Sequence, residues 1–183
     1  MDTKFLDKIA KPFNQEVPYA DTLDGFLDIL IPIIHPWSED LYEQNYYIGR
    51  PWLEIRDDEN FHEIILHFFN EDGEYLKSVN GDVSSGTWRY LESANKLIID
   101  EAESELFDLA FLDGQFFVLI KHGDQQRFGQ RKYFVMAYEA VGKHLEWHDA
   151  MLYLFNKYRN NNSFYIMVAV IILLIVAIIL VLS

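Results

Sequence analysis

Leu106-Phe107-Asp108-Leu109-Ala110-Phe111-Leu112-Asp113-Gly114-Gln115-Phe116-Phe117-Val118-Leu119-Ile120 is the stretch that decides the fold. Phe107, Leu109 and Phe111 recur at the two-residue period of a strand with one buried face. Asp113-Gly114 is a turn signal, because Gly takes the positive φ that a tight reversal needs. Phe116 to Ile120 is apolar on both faces, which predicts a central strand covered on both sides. Two such strands so close in sequence predict an antiparallel hairpin.

The same pattern extends in both directions. It predicts strands over Trp52–Arg56, His62–Phe69, Tyr75–Val79, Gly86–Leu91, Lys96–Asp100, Leu106–Leu112, Gln115–His122 and Lys132–Glu139. Asn70-Glu71-Asp72-Gly73, Asn80-Gly81-Asp82 and Ser93-Ala94-Asn95 separate them as turns. The predicted class is α+β: an antiparallel β-meander over 51–142, forming a curved sheet or small open barrel, with flanking helices. Residues 1–50 read as a mainly helical segment packing on the sheet. Within it Phe26, Ile29, Leu30, Ile33 and Ile34 share one helix face, Thr22 is placed to cap it, and Ser38-Glu39-Asp40 is placed to start another short helix. A second amphipathic helix is predicted over 142–158, leading through a polar spacer to residue 163.

Phe164 to Leu182 is an unbroken run of 19 apolar side chains. As a helix it reaches about 28 Å, close to the hydrocarbon thickness of a bilayer. It predicts a single C-terminal transmembrane helix over 164–183, the pattern of a tail-anchored protein. Lys157 and Arg159 precede the run and nothing basic follows, which places the N-terminal domain in the cytoplasm. No signal peptide contradicts this.

The net charge of −14 is uneven: residues 1–113 hold 25 Asp/Glu against 8 Lys/Arg, and residues 114–183 hold 4 against 7. The weakly basic, membrane-proximal part suits an anionic leaflet, and the acidic remainder is held away from it. Nucleic acid does not fit as a partner, because the basic residues cluster only at Arg127, Arg131 and Lys132. The absence of cysteine removes disulfides, thiol catalysis and zinc–thiolate sites.

Four constellations carry chemistry-bearing residues. His144 and His148 stand at i, i+4 around Glu146, but H-x-E-x-H is not the zinc-protease order and no third ligand can be named, so no metal is assigned. The run Asp100-Glu101-Ala102-Glu103-Ser104-Glu105 lacks the alternating ligands and the Gly of a calcium loop, and reads as a solvated acidic turn. The hairpin 123–131 is long, and Arg127, Phe128 and Arg131 in it are the predicted partner-binding residues. Gly86-Thr87-Trp88 resembles the G-x-W of lipocalins, eight-stranded barrels that hold apolar ligands. That resemblance implies a ligand cavity around Trp88 and Tyr90. In a lipocalin the motif opens the barrel, so here the strands before Gly86 would also be needed.

A wider stretch, Gly81 to Leu91 with Lys96-Leu97-Ile98-Ile99-Asp100 and Phe111-Leu112-Asp113, resembles small β-domains in uncharacterised proteins of Bacteroidetes bacteria. It implies the meander and a bacterial inner membrane, and carries over no functional residue. With no activated nucleophile, no G-x-S-x-G and no phosphate-binding glycine loop, neither catalysis nor a cofactor is expected. The predicted function is an interaction or scaffold module held at the membrane, with a lipid- or small-molecule-binding module as the alternative.

Overall fold

The computed structural model describes residues 19–58, 62–122 and 131–159, together with Leu173. Eight strands follow one another: β1 Trp52–Ile55, β2 Ile65–Phe69, β3 Glu74–Val79, β4 Asp82–Leu91, β5 Lys96–Asp100, β6 Ser104–Leu112, β7 Phe116–Lys121 and β8 Tyr133–Tyr138. Every neighbouring pair is antiparallel. β1 pairs with β8 from Trp52↔Tyr138 to Ile55↔Val135, so the meander closes on itself. This corrects the expected curved sheet or open barrel: the sheet is a closed barrel. Local turns explain why the chain folds strand by strand. Val79 pairs with Asp82, leaving Asn80 and Gly81 as a two-residue loop with both φ positive, the turn whose twist suits a hairpin.

Alternation divides the side chains between two cores. The inner one joins Trp52, Phe69, Trp88, Leu97, Phe117 and Met136, among others. The end of the barrel bearing the 70–73, 92–95 and 113–115 turns is plugged by the segment after the first helix. There Leu41 and Tyr47 are fully buried, the Tyr47 hydroxyl donates to Leu41 O (2.9 Å), and Trp52 Nε1 donates to Tyr47 O (2.9 Å).

The outer core explains the strands that are apolar on both faces. Phe116, Val118, Val135 and Ala137 point away from the inner core and are still buried, because helices cover them. The helices are α1 (Leu23–Ile34), the short α2 (Glu139–Gly142) and α3 (Trp147–Arg159). Thr22 caps α1, its Oγ1 accepting from Gly25 N at 3.1 Å, and the Asp57 carboxylate accepts from Leu23 N at 2.8 Å. The buried stripe is Leu23, Phe26, Leu27, Leu30, Ile31 and Ile34, with Ile29 facing solvent. The stripe keeps Phe26, Leu30 and Ile34 but takes Leu27 and Ile31 in place of the expected Ile29 and Ile33, so the buried face is turned from the predicted one. Asp24 fixes α1 to the barrel by accepting from the amides of Lys132 and Tyr133.

Residues 142–158 do not form one helix: α2 ends at Gly142 and α3 begins at Trp147. Gly142 sits where a Cβ would meet Ala137 Cβ at 3.0 Å, so the chain passes close over the outer wall there. Ser38-Glu39-Asp40 starts no helix. Instead Glu39 N donates to Leu112 O, and Ser38 Oγ accepts from Leu112 N. The barrel, α1, α2 and α3 as far as Phe155 belong to one compact unit, Glu16–Phe155. The predicted span over 164–182 lies outside the described residues apart from Leu173. Among those residues no helix is long and apolar enough to cross a membrane.

Candidate functional site

On β1, β2, β3, β6 and β7 the inward-facing phase turns from apolar to polar or charged on moving away from the plug. Trp52 is followed by Glu54 and Arg56, Tyr75 by Lys77, and Leu119 by Lys121; on strands running the other way, Phe69 is preceded by His67 and Phe107 by Glu105. These residues line a cavity of about 660 Å³. Its mouth lies at the end opposite the plug, beside the 101–103 turn and Arg131.

The floor is a buried polar chain. Glu54 is 9% exposed, His67 2% and Tyr75 3%. His67 Nε2 lies 3.0 Å from Glu54 Oε2, and His67 Nδ1 lies 2.6 Å from the Tyr75 hydroxyl oxygen. Arg56 Nε donates to the other oxygen of Glu54. Burial alone would disfavour the Glu54 charge, but hydrogen bonds from His67 and Arg56 outweigh it and hold the carboxyl at about 2. The carboxylate is therefore ionised and accepts on both oxygens, which requires His67 Nε2 to carry its hydrogen. Burial, with the nearby charges of Glu101, Glu54 and Glu105, pushes the Tyr75 phenol well up. Carboxylate, imidazole and phenol in sequence resemble a nucleophile-activating relay, but a phenol held protonated is a hydrogen-bonding group rather than a nucleophile.

The walls carry matched charges. Lys77 pairs with Glu101 (3.2 Å) and Lys121 with Glu105 (3.2 Å). Ser84 Oγ donates to Glu101 at 2.6 Å. Burial opposes the Glu101 charge, yet the hydrogen bonds from Ser84 and Lys77 lower its pKa. At the mouth Arg131 pairs with Asp58 and stands 3.7 Å from Asp57. Between floor and walls lie the rings of Phe107 and Phe134, tilted with centroids 5.6 Å apart, and Phe134 meets His67 edge-on at 4.9 Å.

Trp88 and Tyr90 stand on β4, not on a first strand, and belong to the plugged half. Trp88 packs edge-on against Tyr47 and Phe69, and its Nε1 donates to Asn70 O at 2.9 Å. Tyr90 packs against the same core, and neither residue lines the cavity. Gly86 has a local reason: a Cβ there would stand 2.3 Å from Asp100 O on the neighbouring strand. Of the three predicted partner-binding residues, Arg127 and Phe128 lie outside the described residues, and Arg131 is drawn into the mouth. His144 lies in the break between α2 and α3, whereas His148 is on α3 against Phe26. Among the described residues no group of three His, Asp or Glu is arranged to hold a metal.

The acidic turn at 100–105 is more than a solvated loop, since Glu101 and Glu105 form part of the cavity wall with lysine partners. Sequence reading missed Glu54, His67, Tyr75, Lys77 and Lys121. Their signal was present as charged or polar residues continuing the inward phase of an otherwise aromatic strand. No family model, no curated protein and no solved structure matches this chain.

Proposed function

We propose that this protein is a membrane-tethered barrel that binds a small polar molecule in its cavity. The observation that carries the reading is a cavity of about 660 Å³ with a buried, hydrogen-bonded floor and charged walls. That volume lies within the range of about 300–1,000 Å³ common for small-molecule sites, and a few converging polar groups against aromatic walls are what such sites use for orientation. A barrel meant only for stability would fill both halves with side chains, as this one fills its plugged half. The tether is the apolar run over 164–182, and the basic residues before it favour the barrel on the cytoplasmic side.

The test is purification of the full-length chain from native membranes in mild detergent, with mass spectrometry of small molecules and proteins in the eluate. A small molecule is expected at near-equal ratio, and Glu105→Leu with Lys121→Leu should lose it. An eluate with no small molecule would end this reading.

Recruitment of a protein partner through Arg127, Phe128 and Arg131 is the second reading, favoured by the position of Arg131 at the cavity mouth. It predicts a near-stoichiometric protein in the same eluate, lost when all three are replaced by Ala.

A further inference from the structure

We infer that the cavity takes a zwitterionic small molecule with an aromatic or apolar body, of amino-acid size or somewhat larger. The inference rests on the ligand-binding reading above and assigns its ligand class from the pairing of charges on the wall.

Three cations on the cavity lining each lie within reach of an anion: Arg56 with Glu54, Lys77 with Glu101, Lys121 with Glu105. All six groups are partly or largely withdrawn from water, their side chains being 8–37% exposed. A guest carrying only a positive charge would compete for Glu101 and draw it away from Lys77. A guest carrying only a negative charge would do the reverse. Drawing a partner away from a charge that is partly withdrawn from water is the less favourable outcome. A guest carrying both charges can open a pair and satisfy both members, its ammonium on the carboxylate and its carboxylate on the ammonium. A neutral guest must draw hydrogen bonds from groups that already satisfy one another, and gains little.

The rest of the lining fits the uncharged part of such a guest. Ile99, Phe107 and Phe134 give an apolar wall next to the ion pairs. The aromatic pair of Phe107 and Phe134 offers a ring edge and face to a flat body.

Four probes with one aromatic body separate the classes: phenylalanine (zwitterion), phenethylamine (cation), 3-phenylpropionate (anion) and N-acetylphenylalaninamide (neutral). Binding of each to the full-length chain in detergent micelles is measured by calorimetry. Phenylalanine is expected to bind at least about ten-fold tighter than each of the others. Equal or tighter binding of any of those three overturns the inference, as does the absence of binding by all four. The cavity reading itself stands or falls separately on whether a small molecule co-purifies from native membranes. Lys77→Met supplies a second readout that does not depend on absolute affinity. By leaving Glu101 without its lysine it should shift preference from phenylalanine toward phenethylamine, by about ten-fold in their ratio. An unchanged ratio overturns the role of that pair.

Discussion

His67 meets Glu54 through one ring nitrogen and Tyr75 through the other, so both its hydrogen-bonding positions are committed. Tyr75→Phe removes a hydroxyl from a buried site and leaves His67 Nδ1 without that partner; a loss of about 1–2 kcal/mol is expected in urea unfolding. Glu54→Gln removes the charge that Arg56 and His67 surround, and should cost about 3 kcal/mol or more. The pH dependence has a definite sign. The Glu54 carboxyl has a folded pKa below its unfolded one, so its stabilisation is complete above the unfolded value and is lost as pH falls toward about 2. Unfolding free energy should therefore fall between about pH 5 and pH 2, and this part of the fall should be missing in Glu54→Gln. Gly86→Ala probes a different constraint: its Cβ would press on Asp100 O, and the β4–β5 ladder would have to part. About 2 kcal/mol of destabilisation is expected, with the inner-core tryptophan signal reporting it.

Element by element, strands were the most legible part of the sequence, because their period is local and their turns are chemically explicit. Lys96–Asp100 forms the strand that alternation predicts, and Asn80-Gly81 makes the predicted turn. The two-faced apolarity of Phe116–Ile120 correctly marked a strand buried on both sides, although neither covering layer could be named from it. The face of α1 was misplaced because its first turn reads Leu23-Asp24-Gly25, where a single apolar residue gives a weak start to the stripe. The cap at Thr22 was legible. Thr22→Ala should cost about 1 kcal/mol, a change measurable by thermal unfolding. Closure could not be read, since it depends on β1 meeting β8 across the whole meander, a pairing with no local signal. The cavity was unreadable for the same reason: its charged residues come from separate strands and turns around the barrel and converge only once it is shut. The seam between β1 and β2 has two register pairs, whereas that between β3 and β4 has six. Amide exchange should accordingly be faster along β1–β2 than along β3–β4.

At the scale of the molecule, one barrel is divided between two tasks. Its plugged half buries Trp52, Tyr47, Phe69 and Phe117 in mutual contact, and its open half keeps a polar cavity. Such a division lets the wall pairs Lys77–Glu101 and Lys121–Glu105 be changed without disturbing the aromatic core. The charge substitutions proposed on the wall should leave the unfolding transition cooperative while changing what binds. Joining β1 to β8 has a further consequence. A sheet whose first and last strands are spent on each other presents no free backbone edge to which a foreign strand can add. Copies brought to high local concentration are thereby protected from edge-to-edge aggregation, and any protein that docks on this barrel must do so through loops and side chains.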